Sequence, residues 1–504
     1  MKVLLVYPEF PETFWSFRHA LRFESKRSAS PPLGLLTVSA MLPGAWERRL
    51  VDLNVRSLTA ADIEWADLVM VSAMLVQKQS LLGVVAMCQE RGKRVAVGGP
   101  YVSTRVEPLP GADHIFIGEA ETTLPEFVSD FERGEAKAIY RAPEKPSLAL
   151  TPVPDLRLAD IKHYGVMSVQ YSRGCPFQCE FCDIIEIYGR VPRTKSNEQM
   201  LAELDALYNL GWRGGVTIVD DNFIGNKRNV KRLLPELARW SAARRHPFYF
   251  ATEASVNLAE DDELLDGMRR AGFRRVFLGI ETPVEESLKE TLKHQNTRGD
   301  LLDSVRKVQS YGMEVMGGFI VGFDNDPDDI FERQIRFIRE SAIPMAMVGL
   351  LTALPDTQLW RRLEREGRLV NESTGNNTDG SLNFIPKMDA ARLVEGYKDI
   401  LRTIYNPSEY YRRALDCLSH VAPGTLGAQR RAFFRDLVSL ARIIFTLGLR
   451  DHARRDFWRY LRGVCAAHHG RFGDAIMLAA VGYHFRKLTE FIAIEKRGRT
   501  AVSC

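Results

Sequence analysis

The 504-residue sequence predicts an α/β protein in three parts: a doubly wound parallel sheet over residues 1–150, a partial parallel (β/α)6 barrel over 151–375, and a basic α-helical region over 376–504. Three observations predict it. Short, nearly continuous apolar runs alternate with amphipathic stretches through the first 135 residues, the pattern of strands buried on both faces. A second alternation, with a different rhythm, runs from about 165 to 370 and repeats six times. From about 385 onward no strand pattern recurs, and apolar residues fall at helical spacing instead.

In the first region "KVLLVYP", "RRLVDL", "DLVMVSA", "RVAVGG" and "HIFIGEA" read as strands, with "PLGLLTVSAML", "LLGVVAMCQERG" and "TTLPEFVSDFE" as helices between and after them. Such sheets bind ligands beyond the carboxyl ends of their strands. Small and special residues collect at those ends: Pro8 after the first strand, Ser72 and Met74 after the third, Gly98, Gly99 and Pro100 after the fourth, Gly118 and Glu119 after the fifth. A proline-rich linker, "RAPEKPSLALTPVPDLRL", follows. The second region offers "VMSVQYS", "GVTIVDD", "PFYFATEA", "RVFLGIE", "EVMGGFIVG" and "MAMVGLLTA", each followed by a helical stretch. Right-handed crossovers close such units toward a barrel whose chemistry sits at the strands' carboxyl ends. Asp220, Asp221, Glu253, Glu281, Gly318 and Gly322 gather there. In the third region "RRAFFRDLVSLARIIFTLG" puts Phe433, Leu437, Leu440, Ile444 and Leu447 on one helical stripe, with Arg431, Arg435 and Arg442 elsewhere around the helix.

Composition narrows the classes. With 45% hydrophobic and 26% charged residues the chain is an ordinary folded one, too long for a single core. "MKVLLVYPEF" is too short for a signal peptide's apolar segment, so a cytoplasmic protein is expected. Seven cysteines is an odd number, and Cys88, Cys417, Cys465 and Cys504 share no motif spacing, which argues against a disulfide framework. No run reaches the roughly 18 uncharged apolar residues of a membrane span; "DAIMLAAVGYHFRKLTEFIAI" is interrupted by Arg486, Lys487 and Glu490. Charge is uneven. Residues 425–500 hold fifteen Lys and Arg against six Asp and Glu, a surplus of nine that leaves the rest of the chain acidic.

The remaining three cysteines stand within eight positions, in "GCPFQCEFCD", on the loop after the first barrel strand. Cys175, Cys179 and Cys182 therefore lie at the barrel mouth. A structural zinc ion is one occupant, with His163 or Asp183 as fourth ligand, although closed zinc sites more often come as two paired half-sites. A 4Fe–4S cluster is the other. Three thiolates leave one of its irons open to a small molecule, which turns the cluster into a reagent.

The Cys-x3-Cys-x2-Cys spacing with Phe181 before the last cysteine, together with the six-unit TIM-type barrel, resembles the radical S-adenosylmethionine superfamily. The resemblance implies that the open iron chelates the amino and carboxylate groups of S-adenosylmethionine, and that an electron cleaves the sulfonium to a 5′-deoxyadenosyl radical. It places Asp220 and Asp221 near the methionine amino group, Glu253 at the ribose, and "GFIVG", Gly318 to Gly322, beside the adenine. The acidic residue often found three positions further is Asn325 here, so only the backbone role carries over. Each carboxylate also has a plain structural reading, as a helix cap or an arginine partner, and Glu281 can begin the helix that Pro283 opens.

Joined to this barrel, the first region is similar to the Rossmann-like cobalamin-binding domain of one large class within that superfamily, through "PPLGLL", "GGPYVST" and "GEAET". The D-x-H-x-x-G loop that supplies an axial histidine elsewhere is absent. His19, before the first helix, and His114, inside a strand, lack the context of a ligand. The resemblance implies three cofactors, a 4Fe–4S cluster, S-adenosylmethionine and cobalamin, and an electron donor such as flavodoxin or ferredoxin. It also implies methylation of an unactivated carbon, with a second S-adenosylmethionine remethylating the cobalt. Cyclase or rearrangement chemistry is the alternative among enzymes, and a cobalamin or iron–sulfur sensor the alternative outside them.

The substrate expectation rests on less. The helical tail is basic and amphipathic and no nucleic-acid module is visible, so the chain reads as a peripheral protein of the inner membrane surface acting on a small molecule or lipid. Packing of that helix on the barrel with a solvated arginine face is the competing reading. "QYSRGCPFQCEFCDI", "VDDNFIGN", "LGIETP", "LLTALPDTQLW" and the arginine- and tryptophan-bearing tail are similar to the radical methylases that act on hopanoids at the second carbon of the A ring.

Overall fold

A computed structural model describes residues 1–104, 109–376, 378–422 and 433–495, with side chains from 437 to 492 in the last stretch. The N-terminal sheet is parallel throughout. It contains β1 (Lys2–Tyr7), β2 (Glu47–Asp52), β3 (Leu68–Ser72), β4 (Arg94–Gly98), β5 (His114–Ile117) and β6 (Ile139–Arg141) in the order β2-β1-β3-β4-β5-β6. Alternate residues explain the two helical layers. Leu4, Val6, Val69 and Val71 face one core with Leu81, Val84 and Val85 of the helix Lys78–Gln89. Val3, Leu5, Leu68 and Met70 face the other, with Leu35 of Leu33–Met41 and Leu124 and Phe127 of Ala120–Arg133. The strand order reverses between β1 and β3, which opens a crevice at their carboxyl ends. β6 ends at Arg141, the first residue of the linker taken from sequence, and was not read as a strand; its three residues are too short to show a period.

The barrel sheet is also parallel. It runs β7 (Met167–Val169), then, after a ribbon of β8 (Ser172–Arg173) and β9 (Arg193–Thr194), β10 (Gly214–Ile218), β11 (Phe248–Ala254), β12 (Phe273–Glu281), β13 (Glu314–Val321) and β14 (Met345–Leu350), paired in that sequence. Register defines its inner layers. Glu253 pairs with Phe277, Phe277 with Met316 and Met316 with Met345; one layer higher Gly279 pairs with Gly318 and Gly318 with Met347. Ends of the chain cover the side between β7 and β14. Ser28 bridges Tyr164 just before β7, while the Tyr405 hydroxyl donates to Ala346 of β14 and its ring lies 5.0 Å from Phe485, which stacks on Phe14 at 4.3 Å. Trp15 reaches inward to Phe277, ring to ring at 5.2 Å.

Beyond the barrel lie helices Ala390–Ile404, Pro407–His420, Phe433–Ile443, Arg454–Ala467 and Phe472–Glu495, packed with the barrel into one core. The stripe read from sequence is corrected here. Phe433–Ile443 continues as a π-helical segment, Ile444–Arg450, which shifts the register, so Ile443 and Leu447 are buried while Leu437 is half-exposed. Arg431 lies outside the described residues. No described helix is long and apolar enough to cross a membrane.

Candidate active site at the barrel mouth

The cysteine loop is an excursion from a ribbon. Ser172 pairs with Thr194 and Arg173 with Arg193, so residues 174–192 leave and return at one point above β7. Gly174 adopts φ +94, and a Cβ there would stand 2.8 Å from the Gly189 carbonyl, which also accepts the Cys175 N–H at 3.2 Å. The Cys182 N–H donates to the Cys179 carbonyl at 3.1 Å. Opposite, Glu180 ties the loop to the later barrel units: its N–H donates to the Thr291 carbonyl, and Arg362 donates to its carboxylate at 2.6 and 3.1 Å while also bonding Asp324 at 2.9 Å.

Cys179 is buried, and Cys175 and Cys182 are partly so. Burial pushes the Cys182 thiol well above its ordinary value and raises Cys175, which favours the neutral thiol until a metal takes the proton's place. Either metal considered from sequence would be held by these three sulfurs in the thiolate form. Two amides point at the sulfurs: Gln295 Nε2 lies 3.5 Å from Cys179 Sγ and Asn222 Nδ2 3.8 Å from Cys175 Sγ. Lys293, buried and ion-paired with Glu281, lies with its Nζ 5.8 Å from the Phe181 ring centre. The sequence reading did not single out these three residues. Asn222 follows the Asp220-Asp221 pair, and that adjacency was the available signal; Lys293 and Gln295 arrive only through the fold.

The carboxylates separate sharply. Asp220 is buried and accepts from the Tyr171 and Ser172 N–H groups at 2.7 and 2.8 Å and from the Ser172 hydroxyl at 2.7 Å. Those bonds fix the root of the ribbon. Asp221 accepts one bond, from Gly174 N–H at 2.9 Å. Glu253 accepts none among the described residues. It is open to solvent in the barrel mouth yet enclosed by protein, and desolvation, followed by the charge of Asp221, lifts its carboxyl to about 7. Desolvation also lifts Asp221 to about 7. Glu281 ends β12 at φ +65, beside a register shift, and does not begin a helix; the next one starts at Glu285. Its carboxylate meets Lys293 directly above Gly279, where a Cβ would clash with both. A Cβ on Gly318 would stand 2.7 Å from the Phe277 ring, and Gly322 adopts φ +105 with its N–H on Asp326 at 2.8 Å.

In the N-terminal crevice the Pro8 carbonyl is held by Gln77 Nε2 at 2.6 Å and Asn54 Nδ2 at 3.2 Å. Gly99, at φ +96, backs onto Ser72, whose Oγ a Cβ would approach to 2.6 Å, and the adjacent Gly98 pairs with Ser72. Pro100 opens the turn Pro100–Ser103, Gly118 donates to Ser103 Oγ at 3.0 Å, and Met74 is exposed beside them. Glu119 is otherwise engaged: it is buried and bonded to Arg173 and Arg193, both at 2.7 Å. It joins the crevice to the cysteine ribbon. His114 faces the helix layer, its Nδ1 2.7 Å from the Lys137 carbonyl. His19 lies within the short helix Arg18–Leu21 and not before it, against Glu12.

A crevice of this order beside a three-thiol barrel mouth defines a cobalamin-binding radical S-adenosylmethionine enzyme. Family models agree: a B12 binding domain matches residues 25–128, the Radical SAM superfamily 169–338, and a domain of unknown function (DUF4070) 357–497. The chain is 46% identical over 98% of its length to an uncharacterized methyltransferase, sll1242, of Synechocystis sp., covering 93% of that protein. It is 35% identical over 96% of its length to the hopanoid C-2 methylase of Rhodopseudomonas palustris, covering 92%. The fold matches two solved structures. The radical enzyme OxsB, with aqua-cobalamin and S-adenosylmethionine bound, superposes at TM-score 0.60 with 17% identity over 100% of this chain and 82% of its own. The methyltransferase TsrM from Kitasatospora setae, with cobalamin and a [4Fe-4S] cluster, superposes at 0.61 with 14% identity over 92% of this chain and 99% of its own. The chain belongs to the family of cobalamin-dependent radical S-adenosylmethionine methyltransferases that includes these two close relatives, and its cofactors are a 4Fe–4S cluster, S-adenosylmethionine and cobalamin.

Proposed function

We propose that the protein methylates an unactivated carbon of an apolar, hopanoid-like lipid, with residues 1–150 holding cobalamin, 151–375 forming the catalytic barrel and 376–504 presenting the enzyme to a membrane. Cys175, Cys179 and Cys182 hold the cluster. Asp221 and Glu253 receive the polar end and ribose of S-adenosylmethionine, and the backbone of Gly318 to Gly322 lies beside its adenine. Pro8, Ser72, Met74, Gly98, Gly99, Pro100 and Gly118 line the cobalamin crevice. When bound, the cluster supplies the electron that cleaves the sulfonium, and cobalamin carries the methyl group. The protein's own part is placement and exclusion of water. Asp220 fixes the ribbon root, Glu180 and Arg362 fix the far side of the loop, and Gln295 and Asn222 offer N–H groups to sulfur. An electron donor of the flavodoxin or ferredoxin type completes the cycle.

The observation that carries the chemistry is the unpartnered Glu253 carboxylate at the mouth that holds the three thiols. For the substrate, the supporting observations are the 35% identity to a hopanoid C-2 methylase over nearly the whole chain and the apolar side chains Phe277, Met316 and Met345 that follow Glu253 around one inner layer, with Trp15 against Phe277. The test is expression in a hopanoid-making host lacking its own methylase, with mass spectrometry of extracted lipids. A product heavier by one methylene is expected. Its absence from cells whose protein is shown to carry both metal cofactors counts against the lipid and leaves the methyltransferase chemistry standing.

A further inference from the structure

Outside the barrel mouth, three potential ligands meet where the segment after β1 crosses the helix Phe472–Glu495. Glu12, His19 and His484 each offer one donor atom, and the three atoms lie within 4.8 Å of one another. Among the described residues no other group of three His, Cys, Asp or Glu side chains does so.

His484 is the informative member. It is fully buried, at 0% exposure, and its Nε2 lies 3.3 Å from the Phe14 carbonyl, an oxygen that can only accept. That bond assigns the proton to Nε2 and leaves Nδ1 with its lone pair, and Nδ1 has no hydrogen-bond partner. A histidine whose one N–H is tied to a backbone carbonyl and whose other nitrogen is bare is oriented as metal-binding histidines are. His19 Nε2 stands 2.5 Å from Glu12 Oε1, and both side chains keep about a fifth of their surface exposed, which leaves a path to solvent.

We propose that Glu12, His19 and His484 bind one divalent transition-metal ion of the zinc or iron(II) class. Two imidazoles and a carboxylate form a borderline donor set that suits these ions better than calcium or magnesium, and three protein ligands leave a coordination position open. The ion ties together parts of the chain 470 residues apart. Around it Phe14 stacks on Phe485, and Trp15, next in sequence, lies against Phe277 on the inner face of β12. Metal occupancy therefore fixes the aromatic wall on the open side of the barrel.

The test uses the untagged full chain with Cys175, Cys179 and Cys182 all replaced by alanine, so that the cysteine loop does not compete. Zinc is titrated against a chelator of known affinity, bound zinc is counted by elemental analysis, and melting is followed with and without zinc. One zinc per chain is expected, with a higher melting temperature. Glu12→Gln and His19→Gln, both at partly exposed positions, should each weaken zinc at least about tenfold and abolish the zinc-dependent rise in melting, with near-ultraviolet circular dichroism unchanged. Zinc retained equally by both variants, or no zinc retained at micromolar free concentration, overturns the proposal.

Discussion

Glu253 and Asp220 are both carboxylates at the carboxyl end of a barrel strand, and they do opposite work. Asp220 is saturated by two backbone N–H groups and a hydroxyl, so its charge is consumed in holding the ribbon. Glu253 faces solvent in the mouth with no hydrogen-bond partner among the described residues, and the protein around it, with the charge of Asp221, lifts its carboxyl to about 7. A cationic or hydroxyl-bearing ligand supplies what is missing. Glu253→Gln should therefore keep the fold and cluster but weaken S-adenosylmethionine about tenfold, read as a raised KM for reductive cleavage. Asp220→Ala should instead lower stability, by about 1–3 kcal/mol for each buried donor left unpaired, read as a lower melting temperature of the cluster-free protein. Each of Cys175→Ala, Cys179→Ala and Cys182→Ala should remove the cluster's visible absorption and cleavage together, while alanine at Cys88, Cys417 or Cys465 leaves both. Spacing alone made the three thiols legible in sequence. The division of labour among Asp220, Asp221, Glu253 and Glu281 was not, because it depends on which backbone amides the ribbon brings near each one.

At the scale of elements, the ribbon of β8 and β9 is the joint of the molecule. Each strand has two residues, too few to show any period, so the sequence pattern passed over it, as it passed over β6. The longer strands were readable because both of their faces are buried and they run nearly continuously apolar. The π-helical segment Ile444–Arg450 escaped for another reason: one extra residue per turn breaks the 3.6-residue arithmetic on which the stripe was drawn. The ribbon's importance lies in its arginines. Arg173 bonds Glu119 and Glu121, and Arg193 bonds Glu119, all with side chains at most 16% exposed, so the cobalamin crevice and the cysteine loop share one ion network. Removing one partner strands buried charge, and Arg173→Ala should cost about 3–5 kcal/mol. Burial raises Glu121, but the charge and hydrogen bonds of Arg173 outweigh it and hold the carboxyl below its ordinary value. A depressed carboxylate stabilises the fold above its unfolded value and stops doing so as pH falls through the folded one. Acid denaturation beginning below about pH 4.5 should therefore be less steep in Arg173→Ala than in the parent, measured by circular dichroism.

For the molecule as a whole, the barrel and the basic tail share one hydrophobic core, and the tail's surface bears on where the enzyme works. Leu437, Val438, Phe445 and Leu449 remain about half-exposed along Phe433–Arg450, and Trp458 is 40% exposed on the next helix. Arginines at 442, 450, 454, 455, 459 and 462 stand among them. Isolated exposed apolar side chains need no explanation, but a run of them set among arginines matches the chemistry of an anionic bilayer surface, where each basic residue adds about 1 kcal/mol. The helix Phe472–Glu495 plays no such part, since Leu478, Ala479 and Phe485 bury it against the barrel and the segment after β1. Under the proposed lipid function, docking by the outer helices would bring a chain with no membrane-crossing helix among its described residues to its substrate. The holoenzyme should sediment with vesicles containing phosphatidylglycerol and not with pure phosphatidylcholine, and the bound fraction should fall as salt rises. Substituting serine for Phe445 and Leu449 and glutamine for Arg450, Arg454 and Arg455 should release it from vesicles while S-adenosylmethionine cleavage in solution stays unchanged. Equal sedimentation of the substituted enzyme, or equal binding to both vesicle types, would show that the outer helices are merely a solvated face.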